Sequence, residues 1–283
     1  MEGDTFMNNK KVCVVGLGAV GGYLGCMLAQ HYDNIYFFAR GERLASIKKN
    51  GLKLYSDAFG EFTTHPAKAS NNAKEMGVMD YIILSVKNFS LEQACIEISP
   101  MIDQHTVIIP LLNGVNISGK IRKLIGKGDV LDGLIYITAG ASKDFSIHHT
   151  SPYGNVHIGC EVENQYNENI LSEVRILLQG AKITCIIEND IESAIWTKYI
   201  LNCAYNVVTA YYKATTGDIR KNQIAIMQLK SLLAEACSVA RKLKINIAGD
   251  LEEVHLKHIL QNQSDSATSS LNRRSEEHTS ELQ

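Results

Sequence analysis

The residues of this chain that could carry out chemistry most directly are one lysine and two asparagines at helical spacing. Lys198, Asn202 and Asn206 stand at positions i, i+4 and i+8, so on an α-helix they share one face. Their neighbours in sequence are mostly apolar, which predicts that this polar face points into a pocket, where ammonium and amide groups need partners. A small anion rich in oxygen atoms would supply those partners. The alternative is a helix that exposes a thin polar stripe to solvent.

A glycine-rich loop near the N-terminus predicts a second binding function. Residues 11–15 have the composition of a buried strand, and the sequence GLGAVG follows directly. Gly16 would allow a tight turn, Gly18 would let a pyrophosphate approach the backbone, and Gly21 would let the next helix pack closely. The alternative is a glycine-rich turn used only for packing. The residues expected to contact a dinucleotide are Gly16, Leu17, Gly18, Ala19, Val20 and Gly21.

The end of the second predicted strand, residues 34–38, indicates which dinucleotide would bind. NAD-binding folds place an acidic residue near this point to hold the ribose 2′-hydroxyl, whereas Arg40 stands here. A guanidinium favours a 2′-phosphate, and Arg43, Lys48 and Lys49 add positive charge nearby. We therefore expect NADPH as the cofactor. The alternative is an ordinary solvated basic face of a helix.

Two further predicted strands end in polar residues. Lys87 follows the apolar residues 81–86, and Asn113 follows residues 107–112. Open α/β sheets bind ligands at the carboxyl ends of parallel strands, so both side chains are candidates for the same crevice as the glycine loop. Each is also common in turns that bind nothing.

Together these residues resemble the ketopantoate reductase (2-dehydropantoate 2-reductase) family. The resemblance rests on the glycine loop, on Lys87 in the sequence SVK, on Asn113 in LLNGV, and on the motif WTKYILNCAYN at residues 196–206. It extends from about residue 10 to about residue 270. It implies reduction of 2-dehydropantoate to (R)-pantoate with NADPH, a step toward pantothenate and coenzyme A.

The resemblance also implies a role for each matching residue. Lys198 would be the proton donor, and Asn202 and Asn206 would hold the substrate. Reduction of a 2-oxo acid leaves an alkoxide that needs a proton, so a positioned ammonium can serve as general acid and as electrostatic stabiliser. The other implied roles are cofactor contact for Asn113 and Ala139, lining of the cofactor site for Lys87, and binding of the substrate carboxylate for Ser270.

Two rival functions remain open from the sequence. A related 2-oxo acid reductase would share the glycine loop and the lysine. A redox sensor that binds NADP(H) and regulates a partner without chemistry is the second rival, but it would not need the stripe of Lys198, Asn202 and Asn206. The stripe therefore favours an enzyme.

Composition indicates a soluble enzyme with a small-molecule substrate. The chain has 283 residues, 45% hydrophobic residues and a formal net charge of −2, a balance that favours neither a nucleic-acid nor a membrane partner.

The cysteines and the lack of a long apolar run predict a cytoplasmic protein. The seven cysteines are scattered and form no CxxC pair, which fits reduced thiols. No apolar run approaches the roughly 20 residues that span a bilayer. His255 and His258 could share a helix face but lack a third ligand at metal spacing, so we expect a solvated face and no metal. The oligomeric state stays open.

The order of the elements predicts an α/β protein with a Rossmann-type dinucleotide-binding domain followed by an all-helical domain. Strand and helix patterns alternate over residues 10–188, the predicted NADP-binding domain. Residues 189–273 are helical in pattern and form the predicted substrate and catalytic domain, with helices at 191–212, 224–243 and 250–261. Residues 148–149, a pair of histidines, are expected in a loop.

The final segment departs from the family pattern. Residues 274–283 read RSEEHTSELQ and resemble the translated read-through of a sequencing adapter, so we expect a non-native tail. On this interpretation the helical domain is incomplete. We then expect this chain to be less active than one with a natural C-terminus.

Overall fold

A computed structural model of the chain describes residues 9–160 and 165–272. The tail predicted to be non-native, residues 274–283, lies outside the described residues. The chain divides into two compact units, one ending at Ile191 and the other beginning at Glu192.

The first unit is built on a parallel sheet, as the alternating pattern predicts. Within the described residues this sheet has six strands in the order β5-β2-β1-β6-β7-β8, and every neighbouring pair is parallel. The central strands are buried runs of apolar residues, which is typical of a sheet covered on both faces. The six strands are β1 (Val12–Val15), β2 (Ile35–Phe38), β5 (Lys68–Ser70), β6 (Tyr81–Leu84), β7 (Val107–Pro110) and β8 (Asp129–Val130).

Helices pack on both faces of this sheet and enclose two apolar cores. One core contains Leu24, Met27 and Phe37, and the other contains Ile82, Ile98 and Ile121. The helices are α1 (Ala19–His31), α2 (Gly41–Asn50), α3 (Ala73–Met76), α4 (Leu91–Ile98), α5 (Ile117–Ile125) and α6 (Gln165–Gly180), with 3-10 turns at Asn88–Ser90 and Ser99–Met101.

A second, mixed sheet in this unit was not predicted. Among the residues that the structure describes it contains five strands, in the order β11-β10-β3-β4 with β9 paired to β10. The expectation of a loop at residues 148–149 was wrong, because both histidines lie in β10 and His149 is buried. The five strands are β3 (Leu52–Ser56), β4 (Gly60–Thr64), β9 (Asp132–Ala141), β10 (Ile147–Gly159) and β11 (Cys185–Ile187).

The second unit is helical, as predicted. Its core is formed mainly by α7 and α9, where Ile200, Ala204 and Val208 cluster with Leu229 and Leu233. The short helix α8 was not predicted; Thr215 begins it with a capping box in which Thr215 and Asp218 bind each other's backbone. The elements are α7 (Ile191–Tyr212), α8 (Thr216–Lys221), α9 (Gln223–Lys242) and α10 (Leu251–Lys257), followed by a π-helical turn at His258–Asn262.

The described residues contain neither a membrane-spanning helix nor a cluster of metal ligands. Among them, no helix combines the length and the apolar character needed to cross a membrane. In the same residues, no group of three or more histidine, cysteine, aspartate or glutamate side chains is placed to hold a metal ion.

Candidate active site

The glycine loop joins β1 to α1 through contacts that require glycine. Gly16 has φ +89°, and a Cβ there would lie 2.9 Å from the backbone nitrogen of Val86. A Cβ on Gly21 would overlap the carbonyl oxygen of Gly16 and the hydroxyl oxygen of Ser85. Ser85 also donates a hydrogen bond of 2.9 Å to the carbonyl of Gly16, which fixes the loop.

The loop leaves room for a ligand at the N-terminus of α1. Gly18 is the residue preceding this helix, and a Cβ there would have no heavy atom within 4 Å. The first backbone N–H groups of a helix have no intrahelical acceptor, and the helix dipole favours negative charge at this end. An open approach at Gly18 and the amides of a 13-residue helix therefore fit the pyrophosphate of a dinucleotide.

Arg40 lies where the sequence predicts it, between the end of β2 and the start of α2. Its Nη2 atom is 3.0 Å from Oε2 of Glu97 in α4. The guanidinium of Arg43, one turn further on, lies 4.8 Å from the ring centroid of Phe145 and donates to the carbonyl of that residue. The ion pair of Arg40 with Glu97 was not predicted.

Lys87 and Asn113 follow β6 and β7, so the parallel sheet places them at the same edge as the glycine loop and Arg40. Both side chains are exposed. Asn88 connects their loops, because its side-chain amide donates a hydrogen bond of 2.8 Å to the backbone carbonyl of Asn113. Gly114 follows with φ +124°, a conformation that favours glycine.

Ala139 does not belong to the parallel sheet. It lies in β9 of the mixed sheet, opposite His149 of β10, and is half-buried. Its predicted contact with the cofactor stays a prediction.

The stripe that the sequence predicts lies on α7. Lys198, Asn202 and Asn206 are all half-buried, while Ile200 and Ala204 on another face of the helix are fully buried in the core. Burial lowers the pKa of the Lys198 ammonium from its ordinary 10.5 to about 8. This pKa suits a lysine that must exchange a proton near neutral pH.

Ser270 is held close to the C-terminal half of α7 by its neighbours in the chain. The hydroxyl of Ser269 is hydrogen-bonded to the hydroxyl of Thr209 at 2.6 Å, and Thr268 donates to the carbonyl of Ala214 at 3.0 Å. Thr209 comes three residues after Asn206 in the same helix. The structure therefore anchors the segment before Ser270 beside the helix that carries the polar stripe.

One buried histidine supports α7 from a neighbouring helix. Nε2 of His255 in α10 is 2.9 Å from the carbonyl oxygen of Thr197, the residue before Lys198. Burial lowers the pKa of His255, so the neutral ring is favoured and donates to that carbonyl. The expectation that His255 lies on a solvated helix face was wrong, because its side chain is buried against α7.

Comparisons with known proteins match both parts of the chain to models of one family. The family model described as "Ketopantoate reductase PanE/ApbA" matches residues 12–163, and "Ketopantoate reductase PanE/ApbA C terminal" matches residues 190–281. The second match includes most of segment 274–283, for which a non-native origin stays a prediction.

Individual relatives and solved structures are similar to this chain over most of its length. An "Uncharacterized oxidoreductase YkpB" of Bacillus subtilis is 32% identical over 246 residues, which are 86% of this chain and 78% of that protein. The crystal structure of 2-dehydropantoate 2-reductase from Porphyromonas gingivalis superposes with a TM-score of 0.79 at 29% identity, covering 89% of this chain and 88% of the other. D-mandelate dehydrogenase with NADH and anilino(oxo)acetate shares the fold, with a TM-score of 0.85 at 19% identity over 95% of this chain and 86% of the other.

Proposed function

This chain belongs to the ketopantoate reductase family of oxidoreductases, and from that membership we propose that it reduces 2-dehydropantoate to (R)-pantoate with NADPH. The observation that carries the proposal is the polar face of α7, where Lys198, with its lowered pKa, is followed at helical spacing by Asn202 and Asn206. A 2-oxo acid presents a carboxylate and a keto oxygen, both acceptors for ammonium and amide N–H groups. The product would serve the synthesis of pantothenate and coenzyme A.

Lys198 would act as the general acid. The keto oxygen of the substrate gains negative charge as its carbon is reduced, so a nearby ammonium stabilises it and then donates a proton. The buried surroundings that lower the pKa to about 8 also favour the neutral amine that remains after the transfer. An exposed lysine would hold its proton more firmly and would be a weaker acid.

The neighbouring polar residues would hold the substrate. Asn202 and Asn206 would donate their side-chain N–H groups to substrate oxygens, and the hydroxyl of Ser270 would donate to the carboxylate. These donors would orient the keto group relative to Lys198. Holding the reacting groups in a fixed geometry lowers the entropic part of the activation barrier.

The cofactor would bind through the first unit. The glycine loop and the N-terminus of α1 would hold the pyrophosphate, and the guanidinium of Arg40 would pair with the 2′-phosphate. NADPH, when bound, would supply the hydride. Lys87, Asn113 and Ala139 would complete the cofactor site. We place the enzyme in the cytoplasm, because its seven cysteines are free thiols.

A related 2-oxo acid reductase is the second candidate. The structural neighbour D-mandelate dehydrogenase was solved with NADH and anilino(oxo)acetate, an amide of oxalic acid that presents a carboxylate beside a carbonyl, as a 2-oxo acid does. The roles given to Lys198, Asn202 and Ser270 address the carboxylate and keto group that such substrates share. A redox sensor without chemistry is less well supported, because it has no use for a lysine of lowered pKa.

The experiment is a comparison of turnover for several 2-oxo acids with NADPH and with NADH. We expect the highest kcat/KM for 2-dehydropantoate, above 2-oxoisovalerate, which lacks the hydroxymethyl group, and phenylglyoxylate, which is aromatic. Lys198→Ala should lower kcat by roughly a hundredfold to ten-thousandfold with NADPH binding retained, whereas Asn202→Ala should mainly raise KM. A higher kcat/KM for another 2-oxo acid would establish the second candidate, and wild-type turnover in Lys198→Ala would refute the assigned acid.

A further inference from the structure

Glu97 forms an ion pair with the guanidinium of Arg40, which the proposed function assigns to the 2′-phosphate of the cofactor. Nη2 of Arg40 and Oε2 of Glu97 are 3.0 Å apart, and the other carboxylate oxygen accepts a hydrogen bond of 2.8 Å from the side-chain amide of Gln93. Glu97 lies near the end of α4 and Arg40 at the start of α2. The carboxylate is therefore held in position from two sides.

The carboxylate of Glu97 and the 2′-phosphate of the cofactor are alternative acceptors for the same guanidinium. A guanidinium binds carboxylates and phosphates through the same N–H donors. An arginine directly after the second strand of a Rossmann sheet accommodates the 2′-phosphate of NADP. Glu97 thus places an internal anion on the donors that the 2′-phosphate requires, whereas the 2′-hydroxyl of NADH does not need them.

The solvent exposure of Arg40 and Glu97 limits how strongly their ion pair can weaken binding of the 2′-phosphate. The side chain of Arg40 is 51% exposed and that of Glu97 is 26% exposed. An ion pair in this setting changes an equilibrium constant by about one- to fivefold, so a phosphate can displace the carboxylate. The negative charge of Glu97 then remains near the phosphate and repels it, which extends the expected range to about tenfold at low salt.

Arg43 does not replace Arg40 in this role. Its guanidinium packs against the ring of Phe145 and donates to the carbonyl of that residue at 3.3 Å. Burial lowers the pKa of Arg43, in keeping with a side chain engaged with the protein. Of the two arginines, Arg40 is therefore the one that can discriminate between the two cofactors.

We propose that Glu97 is a specificity-determining residue that competes with the 2′-phosphate for Arg40 and lowers the preference of the enzyme for NADPH over NADH. The proposal rests on the proposed function, because it assumes a dinucleotide site at the glycine loop with Arg40 near the ribose.

The test measures binding and needs no turnover. Dissociation constants of NADPH, NADH, adenosine 2′,5′-bisphosphate and AMP are determined by calorimetry for the wild type, Glu97→Gln and Glu92→Gln. Glu92 is an exposed carboxylate in the first turn of the same helix and serves as the matched control. Glu97→Gln should tighten NADPH and the bisphosphate by about two- to tenfold at low salt, with NADH and AMP changed less than twofold. Glu92→Gln should change neither pair.

A second comparison separates this proposal from the cofactor assignment. Arg40→Ala should weaken NADPH and leave NADH unchanged, and in that background Glu97→Gln should have no further effect. An unchanged ratio of NADPH to NADH affinity in Glu97→Gln, with the expected loss in Arg40→Ala, would overturn the role of Glu97 alone. If Arg40→Ala also left the ratio unchanged, both the assignment of Arg40 and the role of Glu97 would be refuted.

Discussion

The hydroxyl oxygens of Thr209 and Ser269 lie 2.6 Å apart inside the helical unit, and both side chains are buried. Thr209 also donates to the carbonyl of Tyr205 at 2.7 Å, and Ser269 accepts the backbone N–H of Asn272 at 3.1 Å. This pair connects α7, which carries the proposed acid, to the segment that carries Ser270. The position of Ser270 therefore depends on Thr209.

Thr209→Val should separate substrate binding from catalysis. Valine keeps the shape of threonine but removes the hydroxyl, so the buried hydroxyl of Ser269 loses a partner. We expect KM for the 2-oxo acid to rise about three- to tenfold with little change in kcat, and the free energy of unfolding to fall by about 1–3 kcal/mol. Steady-state kinetics and denaturant titration measure the two effects.

Thr209→Ser is the control for that experiment, because it restores the hydroxyl without the methyl group. It should return KM to near the wild-type value. An unchanged KM in Thr209→Val, despite the loss of stability, would show that the pair supports the fold without positioning Ser270.

Two glycines of the loop should respond differently to the same substitution. A methyl group on Gly21 would overlap the carbonyl of Gly16 and the hydroxyl of Ser85, so Gly21→Ala should lower the free energy of unfolding by about 1–3 kcal/mol. A methyl group on Gly18 meets no protein atom within 4 Å, so Gly18→Ala should retain stability. It should still weaken NADPH binding by more than about tenfold, because the methyl group would occupy the approach to the helix amides.

Thermal unfolding and NADPH titration of both variants check this prediction. Normal NADPH affinity in Gly18→Ala would show that the pyrophosphate does not bind over this glycine.

Local patterns were sufficient to predict the glycine loop and the polar stripe. The loop requires glycines at fixed positions between a strand and a helix, and the stripe requires only helical periodicity over residues 198–206. The helix α7 was predicted in the same way, from apolar residues spaced along one segment. The parallel sheet was predicted from the alternation of strand and helix patterns.

Contacts between distant parts of the chain could not be predicted in this way. Thr209 and Ser269 are separated by 60 residues, and neither residue type signals its partner. From the sequence alone, Glu97 resembles any glutamate on the exposed face of a helix. Its contact with Arg40 exists only in the folded chain. The mixed sheet was missed because the buried positions of β10 include a histidine, a serine and a glycine, so its burial pattern is not visible as an alternation of apolar and polar residues. Its proline and glycines are also residue types that strands disfavour.

The rate of reduction should depend on the protonation of Lys198. The acid form is present below its pKa of about 8 in the free enzyme and is lost above it, so kcat/KM should be constant below this pH and fall about tenfold per unit above it. A bound carboxylate raises the pKa of the ammonium, so kcat should begin to fall at a higher pH than kcat/KM. Steady-state kinetics between about pH 6 and 10 test both statements. A kcat/KM that stays constant through this range would exclude Lys198 as the acid.

The lowered pKa of Lys198 also has a consequence for stability. In the unfolded chain this lysine keeps its ordinary pKa of 10.5, whereas in the folded chain the pKa is about 8, because burial disfavours the ammonium. At neutral pH the charge is present in both states, so the folded state bears the cost of its desolvation. Lys198→Met removes that charge and nearly preserves the side-chain volume. We expect it to raise the free energy of unfolding by about 1–3 kcal/mol at pH 7.

The pH dependence of that gain distinguishes a charge effect from better packing. Between pH 8 and 10.5 the unfolded lysine binds more protons than the folded one, so the stability of the wild type rises with pH through this window. The advantage of Lys198→Met should therefore shrink across it. Lys242→Met, at an exposed position near the end of α9, should show no such trend and serves as the control. A gain that stays constant from pH 7 to 10.5, measured by urea unfolding, would assign the stabilisation to methionine packing and not to the relief of a buried charge.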